Sequence, residues 1–270
     1  MNKVLAFLDT PGAVRLLSID YSKAFDTLPH KTILSSLASF KAPKELVGWI
    51  ASYLSSREHV VKVGMSRSQP YVATSGVPQG AVLSPILFAV AVDSLRPLFQ
   101  NSILIKFADD MCLLHFVREE DDDHLSEELD NIVAWSSTHG LAFNSTKTKL
   151  LNFQTKRSLS LPPLKDPLSN TFIQLATSIK LLGLTIDSNM TWCAHTQEVL
   201  GKIRKRVYML YSLRQVKAPK KVMCNVYCTL IRSVASYAYP AWCNIKKCRF
   251  IQLAKFKERL CQMVDLPRCL

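Results

Sequence analysis

The sequence has little glycine, a shortage of acidic residues and no long apolar run. Glycine contributes 8 and proline 13 of the 270 residues, which excludes collagen-like and Gly/Pro-rich disordered chains. The longest apolar run, residues 86–92, is far shorter than the roughly 20 residues that cross a bilayer. The apolar run before Asp9 is too brief for a secretory signal. We therefore expect an intracellular protein, nuclear or cytoplasmic, without a membrane span.

The shortage of acidic residues is confined to one end of the chain. Residues 200–270 hold 16 of the 34 Lys and Arg side chains but only 2 of the 21 Asp and Glu, a net charge of +14. The first 199 residues hold the other 18 basic and 19 acidic side chains, a net charge of −1. A segment that basic favours a polyanionic partner such as nucleic acid.

The basic end also has the apolar periodicity of helices. Apolar residues recur at helical spacing in three stripes, at 199–210, at 223–234 (including Leu230) and at 253–263. The residues before them mix the periods of strands and helices. The predicted strands and hairpin cover residues 14–19, 59–63, 103–116 and 180–187. The sequence thus predicts an α+β body followed by an all-helical module.

Eight cysteines without a secretory signal predict reduced thiols rather than a disulfide framework. Cys193 and His195, with Cys224 and Cys228, could form a zinc set. Cys224 and Cys228 are one helical turn apart, however, and no second pair has finger-like spacing. The spacing therefore favours ordinary thiols over zinc.

Three aspartates stand beside strands that the apolar pattern predicts to be buried. Asp20 ends the first such strand, and Asp109 and Asp110 occupy the tip of the apolar hairpin. Close carboxylates repel one another unless cations compensate, and two shared Mg²⁺ ions could run in-line nucleotidyl transfer. A strand-end cap and an ordinary hairpin turn are the structural alternatives. The acidic residues 119–123, before a predicted helix at 125–135, are expected to be solvated.

Five motifs in order resemble the palm domain of reverse transcriptases, most closely those of non-LTR (LINE-like) retrotransposons. The segment at 229–242 resembles the one that follows the palm in these elements. The resemblance extends over essentially the whole chain and implies a palm (an antiparallel sheet with packed helices) with incomplete fingers at residues 1–188 and a basic helical thumb at 189–270. The motifs are IDYSKAFD at 19–26, SGVPQG at 75–80, FADD at 107–110, LAFNSTKT at 141–148 and LLGLTID at 181–187.

The resemblance implies a two-metal active site. Asp20, Asp109 and the backbone carbonyl of Tyr21 would hold two Mg²⁺ ions, or Mn²⁺. Asp110 would support them, and Lys147 would be the general acid for the departing pyrophosphate.

The resemblance also implies the substrate contacts. Phe25 matches a ring that excludes a ribose 2′-hydroxyl, Gln79 and Gly80 lie in the motif that meets the incoming nucleotide, and Leu182 with Gly183 would support the primer end. A core phenylalanine and a plain turn are the structural alternatives for Phe25 and the glycine-containing loop. The side chains expected to hold the duplex phosphates are Lys202, Arg204, Lys205, Arg206, Lys220 and Lys221.

The implied function is that of an RNA-directed DNA polymerase, which adds dNTPs to a DNA primer on an RNA template in retrotransposition. Only 19 residues precede Asp20, so the basic fingers that grip the triphosphate are expected to be missing, as are an endonuclease domain and a zinc knuckle. The alternatives are a catalytically inactive, nucleic-acid-binding remnant of such a polymerase and a structural or partner-binding protein that uses the acidic helix from residue 119.

Overall fold

The computed structural model describes residues 2–155 and 159–242, together with residues 254 and 258. The chain divides into two compact units, Asn2–Ala176 and a second that begins at Thr177. None of the helices in these described residues is long and apolar enough to cross a membrane.

The first unit mixes helices and strands. Prolines lie at the starts of its third, fourth and fifth helices, where the fixed φ of proline suits the first helical turn. The helices are α1 (Asn2–Leu8), α2 (Ala24–Thr27), α3 (His30–Ser39), α4 (Lys44–Leu54), α5 (Ser84–Ala91) and α6 (Leu125–Thr138), with a 3₁₀ turn at Glu120–Asp122. The strands are β1 (Ala13–Ile19), β2 (Arg57–His59), β3 (Lys62–Val63), β4 (Ser66–Arg67), β5 (Tyr71–Ala73), β6 (Ser102–Phe107), β7 (Asp110–Val117), β8 (Lys149–Gln154) and β9 (Gln174–Leu175).

A five-stranded sheet in the order β6-β7-β1-β8-β9 forms the centre of this unit. β1 pairs antiparallel with β7 on one side and with β8 on the other, which is why this apolar strand is buried along almost its whole length. β6 and β7 are the arms of the expected hairpin, paired from Ser102 opposite His115 to Phe107 opposite Asp110. The expected α+β architecture with a central sheet and packed helices is confirmed, and the sheet is antiparallel except for the edge pair of β8 and β9, which is parallel.

Alternate residues of β1 point to opposite faces of the sheet. Leu17 and Ile19, and Tyr21 beyond the strand, belong to a core shared with β7, β8 and the helices α3 to α6. Asp20 lies between Ile19 and Tyr21 in the alternation, so its side chain belongs to the opposite face. The alternation thus carries the first candidate carboxylate to the face of the sheet opposite this core, just beyond the end of β1.

Residues 57–73 form a β-ribbon in which β2 pairs with β5 and β3 with β4. The single strand predicted at 59–63 is wrong, because the ladder is interrupted between β2 and β3. There the hydroxyl of Ser68 accepts the N–H of Val61, 2.9 Å away, in place of a backbone partner.

The second unit is a hairpin followed by helices. The strand predicted at 180–187 is two strands joined by the turn at Leu182 and Gly183. A domain boundary after residue 188 would assign this hairpin to the palm, and that boundary stays a prediction. The elements are β10 (Ser178–Leu181), β11 (Leu184–Asp187), α7 (Cys193–Gln215), α8 (Lys220–Val226), a π-helical segment (Tyr227–Arg232), α9 (Ser233–Ser236) and α10 (Tyr239–Trp242).

The apolar stripe predicted at 199–210 is the buried face of α7, which packs on Met223, Tyr227 and Ile231. The second stripe is partly wrong: Ile231 is buried, whereas Leu230 is exposed. The π-helical turn is wider than an α-helical turn and rotates the following residues by about one position. The third predicted stripe, at 253–263, lies outside the described residues.

Candidate active site

The three candidate carboxylates meet at one end of the central sheet. Ile19 of β1 pairs with Met111 of β7, so the next residue along β1, Asp20, stands across from Asp110. Asp109 belongs to the two-residue turn that joins β6 to β7. The other residue of that turn, Ala108, has φ of 53°, a left-handed conformation that is unfavourable for any residue with a Cβ. Antiparallel pairing therefore brings together residues that are about ninety positions apart in the sequence.

Partial burial and mutual repulsion both disfavour the ionised carboxylates of this group. Partial burial, and then the charges of Asp109 and Asp20, raise the pKa of Asp110 above its ordinary value. Oδ2 of Asp20 is buried and accepts no hydrogen bond from the residues that the structure describes. None of the three carboxylates forms an ion pair with a residue that the structure describes. An oxygen without a donor, beside like charges without a counter-ion, fits a divalent cation with oxygen ligands.

The three side chains are not gathered into a ready ligand set. In the described part of the chain, no group of three or more His, Cys, Asp or Glu side chains is arranged to hold a metal ion. Asp109 and Asp110 are both exposed, and the carboxylate of Asp20 is the partly buried member.

The backbone of Asp20 is fixed by the turn that contains Lys147. The N–H of Asp20 donates to Oγ1 of Thr148 at 3.2 Å, and its carbonyl accepts the N–H of Asn144 at 2.9 Å. Oδ1 of Asn144 in turn accepts hydrogen bonds from Thr146 and from the N–H of Lys147. These hydrogen bonds stabilise the turn beside Asp20, and Lys147 on this turn is exposed.

Tyr21 can face the carboxylates only with its backbone. Its side chain is buried in the core, where the hydroxyl lies 2.9 Å from Oγ of Ser136, and this burial raises the pKa of the phenol. Its backbone forms a bridge to Phe143.

The SGVPQG loop is bound to the segment that follows Asp20. The N–H of Gly76 donates to the carbonyl of Leu28, and the N–H of Val77 to that of Phe25, both at 2.8 Å. Gly76 has φ of 76°, and a Cβ there would stand 2.6 Å from the carbonyl oxygens of Phe25 and Asp26. This glycine is therefore required for the close approach of two protein segments.

The residues predicted to meet the nucleotide lie along this junction. The ring of Phe25 is half-buried and stacks on Phe88 with a centroid distance of 4.9 Å. Nε2 of Gln79 donates to Oδ1 of Asp26 at 2.8 Å. Gly80 is exposed with φ of 82° and open space where a Cβ would lie, so its backbone conformation alone favours glycine.

The residues predicted for the primer end and for the duplex lie in the second unit. Lys202, Arg204 and Lys205 are exposed on α7, and Lys220 and Lys221 are exposed at the start of α8.

Arg206 differs from its neighbours on α7. It is half-buried, and its Nη1 donates a hydrogen bond of 2.6 Å to the carbonyl of Leu230 in the π-helical segment. The predicted phosphate-binding set is therefore not uniform, because Arg206 has a structural partner within its own unit.

Sequence reasoning missed a buried polar network at the other end of the sheet. Asp123 was expected to be solvated with the rest of residues 119–123, and this is wrong: its side chain is 3 % exposed and Oδ2 lies 2.5 Å from Nη1 of Arg15. The second guanidinium arm of Arg15 donates to the carbonyl of Pro162. His115, fully buried on β7 opposite Arg15, lies 2.8 Å from the hydroxyl of Ser102. An arginine inside the apolar strand 14–19 was the available signal.

The chain thus places three carboxylates beside the ends of adjacent strands of a central sheet that is packed with helices. Residues 5–186 match the family Reverse transcriptase (RNA-dependent DNA polymerase). The chain belongs to this family.

Curated relatives agree with that assignment, and one solved structure shares the fold. The chain is 27 % identical over 98 % of its length to a probable RNA-directed DNA polymerase from transposon BS of Drosophila melanogaster, of which it covers 30 %. It is 25 % identical over 89 % of its length to the RNA-directed DNA polymerase from mobile element jockey of Drosophila funebris, of which it covers 28 %. A telomerase from Candida tropicalis, solved in complex with a TWJ fragment of telomeric RNA, aligns over 97 % of the chain and 46 % of its own length at 13 % identity and a TM-score of 0.50, which bears on the fold alone. The chain thus spans less than a third of the length of these two transposon-encoded relatives.

Proposed function

We propose that this chain is the palm and thumb of an RNA-directed DNA polymerase that extends a DNA primer on an RNA template with dNTPs, in retrotransposition. The observation that carries the proposal is the group of Asp20, Asp109 and Asp110 at one end of the sheet, with an unpartnered buried oxygen on Asp20. Membership of the reverse transcriptase family supports the same reaction. Such substrates place the activity in the nucleus or the cytoplasm.

Asp20, Asp109 and the backbone carbonyl of Tyr21 would hold two Mg²⁺ or Mn²⁺ ions, with Asp110 as a supporting charge. When bound, such ions lower the pKa of the primer 3′-hydroxyl and offset the charge of the leaving pyrophosphate. The turn from Asn144 to Thr148 keeps Asp20 in place by two backbone hydrogen bonds. The exposed Lys147 on that turn would give a proton to the pyrophosphate.

Three further residues would select and place the substrates. Phe25, fixed by its stack on Phe88, would exclude a ribose 2′-hydroxyl. Gln79 and Gly80 would lie near the incoming nucleotide, with the amide of Gln79 oriented by Asp26.

Primer extension on an RNA template in Mg²⁺ tests the proposal. We expect Asp109→Asn to abolish extension, because the variant removes a charge from the carboxylate group. Asp130→Asn is the matched control, since it makes the same change on the exposed side of α6. Extension that survives Asp109→Asn would contradict the role of Asp109. Salt-dependent duplex binding without extension at any Mg²⁺ concentration would establish the inactive, nucleic-acid-binding alternative.

The exposed basic residues of α7 would bind the duplex by its phosphates. Replacing Lys202, Arg204 and Lys205 together by Gln should reduce the salt slope of duplex affinity by about 3, one for each lost phosphate contact. Arg206→Gln is the matched comparison. Because Arg206 donates to Leu230, we expect this variant to lower the melting temperature more than the salt slope. An unchanged slope in the triple variant would exclude this face of α7 as the duplex site.

A further inference from the structure

The turn at Leu182 and Gly183 has an unusual sequence for its conformation. Both residues have positive φ, 47° and 79°, as in the type I′ turns that join two paired strands. Glycine and asparagine adopt this region readily, whereas leucine is strained there. The side chain of Leu182 is also 37 % exposed, so packing does not explain a leucine at this position. A strained, exposed apolar residue at the tip of a hairpin is consistent with a contact to a ligand.

Tyr237 holds this turn from a distant part of the sequence. Its hydroxyl donates a hydrogen bond of 2.9 Å to the carbonyl of Leu182. Its ring lies beside Gly183, where a Cβ would stand 3.4 Å from the nearest ring carbon. The carbonyl of Tyr237 accepts a hydrogen bond of 2.9 Å from Nε1 of Trp242. Trp242 is itself almost completely buried, so the backbone of Tyr237 is anchored.

Trp242, which holds the backbone of Tyr237, also contacts the basic helix α7. The ring of Trp242 packs edge-to-face on His195 of α7 with a centroid distance of 5.3 Å. Nδ1 of His195 accepts the N–H of Thr185 in β11 at 3.3 Å, and the hydroxyl of Thr185 donates to Glu198 of α7 at 2.8 Å. The hairpin is therefore attached to α7 twice, through β11 directly and through Tyr237 at the turn.

We propose that Tyr237 is a positioning residue that sets the turn at Leu182 and Gly183 relative to α7. The inference rests on the proposed function, in which the turn supports the primer end and α7 holds the phosphates of the duplex. A duplex bound along α7 then meets the turn at a fixed distance. The phenol of Tyr237 acts through the turn and does not itself contact the reacting groups.

Tyr237→Phe tests this with minimal change, because the ring beside Gly183 stays and only the hydrogen bond to Leu182 is lost. We expect the rate constant for nucleotide addition to fall about threefold, the size of one net hydrogen bond at a half-exposed site. The Kd for the primer–template duplex and the KM for dNTP should not change, because the basic face of α7 and the palm are untouched. Tyr237→Ala, which also removes the ring, should lower the rate constant further.

Tyr239→Phe is the matched control. Tyr239 also packs on Trp242, but its hydroxyl forms no hydrogen bond with any residue that the structure describes. Amide hydrogen exchange over residues 181–185 gives a second measurement, and it should quicken in Tyr237→Phe and not in Tyr239→Phe. Parallel losses of addition rate, duplex affinity and melting temperature would show a general folding role and overturn the inference.

The two proposals fail in different ways. An active wild-type chain in which Tyr237→Phe behaves like Tyr239→Phe overturns the positioning role and leaves the proposed function standing. A wild-type chain that extends no primer overturns the proposed function, and the primer-positioning role falls with it.

Discussion

At one end of the central sheet Asp123 is buried beside Arg15, whereas at the other end Asp20 has a buried oxygen without a partner and two further aspartates nearby. Arg15 and Asp20 belong to the same stretch of chain, about 17 Å apart along an extended strand. The carboxylate of Asp123 has a cation, Arg15, hydrogen-bonded to its Oδ2, as expected for a charge that stabilises the fold. Its Oδ1 is buried without a hydrogen-bond partner among the described residues, as is Oδ2 of Asp20. The two carboxylates differ in the cation, because Asp20 forms no ion pair with a described residue. The same strand therefore separates a structural charge from one that remains available for a ligand.

Removing the charge at Asp20 should have the largest effect. We expect Asp20→Asn to slow primer extension by about a thousandfold, because several kcal/mol of transition-state stabilisation depend on a ligand charge at this place. The same variant should raise the free energy of unfolding by about 1 kcal/mol, since it relieves repulsion at a carboxylate without a counter-ion. Single-turnover extension and thermal unfolding measure the two effects.

Mg²⁺ titration is the control for Asp20→Asn. A cation that binds only the folded chain raises its melting temperature by mass action, and this rise should disappear in Asp20→Asn and persist in Asp130→Asn. A loss of stability in Asp20→Asn would contradict the comparison, because it would make Asp20 a structural charge like Asp123.

Removing the buried ion pair between Arg15 and Asp123 should reduce the stability of the folded chain. Arg15→Met leaves Asp123 buried without a cation, so we expect a loss of about 3–5 kcal/mol in the free energy of unfolding. Arg96→Met removes the arginine of an exposed pair with Asp93 and should change stability by less than about 1 kcal/mol. Urea unfolding followed by circular dichroism measures both.

A double variant separates lost pairing from lost packing. Arg15→Met with Asp123→Leu removes both buried charges, and we expect it to recover most of the stability lost in Arg15→Met alone. A double variant as unstable as the single one would show that Arg15 contributes through its packing and its hydrogen bond to Pro162 rather than by neutralising Asp123.

The charged groups at the two ends of the sheet also differ in how far the sequence alone predicts them. Asp20 and the Asp109–Asp110 pair interrupt local apolar patterns, so periodicity alone marks them as exceptional. Arg15 and Asp123 are 108 positions apart, and their contact depends on the pairing of β1 with β7 and on the turn before α6. No local pattern contains that pairing, and an acidic run before a helix is ordinarily solvated.

The second unit also shows that local sequence patterns predict helical periodicity but not contacts that depend on tertiary structure. The stripe at 199–210 follows the period of an α-helix, and its burial was predictable from spacing alone. The stripe around Leu230 was displaced because the chain forms a π-helical turn there, which local propensity does not indicate. The strain at Leu182 and its contact with Tyr237 likewise depend on tertiary structure.

The smallest predicted effects concern pH, and the two ends should respond to acid with opposite signs. At the structural end, burial lowers the pKa of His115, and the charge of Arg15 adds to this against the opposing influence of Asp123 and Glu128. The unfolded chain therefore takes up a proton below about pH 6.5 that the folded chain does not. Stability should fall as pH decreases from 6.5, by about 2–4 °C in melting temperature, and His115→Gln should remove that dependence.

At the end of the sheet that carries Asp20, Asp109 and Asp110, the sign is reversed. Burial and the charges of Asp109 and Asp20 raise the pKa of Asp110, so the folded chain retains a proton at pH values where the unfolded chain has released it. Stability from this group is therefore fully present below the ordinary aspartate pKa of 3.8, is lost as pH rises from there through the higher pKa of the folded state, and is regained on acidification. Because Asp110 is exposed, the gain should stay below about 2 °C in melting temperature. The contribution of Asp110 is isolated by subtracting the melting temperature of Asp110→Asn from that of the wild type at each pH between 3.5 and 6. The ordinary pKa of aspartate sets this range. The contrary outcome is a wild type whose melting temperature increasingly exceeds that of Asp110→Asn as pH approaches neutrality. It would mean that a cation of the protein already neutralises these carboxylates. The contrast between the two ends of the sheet would then disappear.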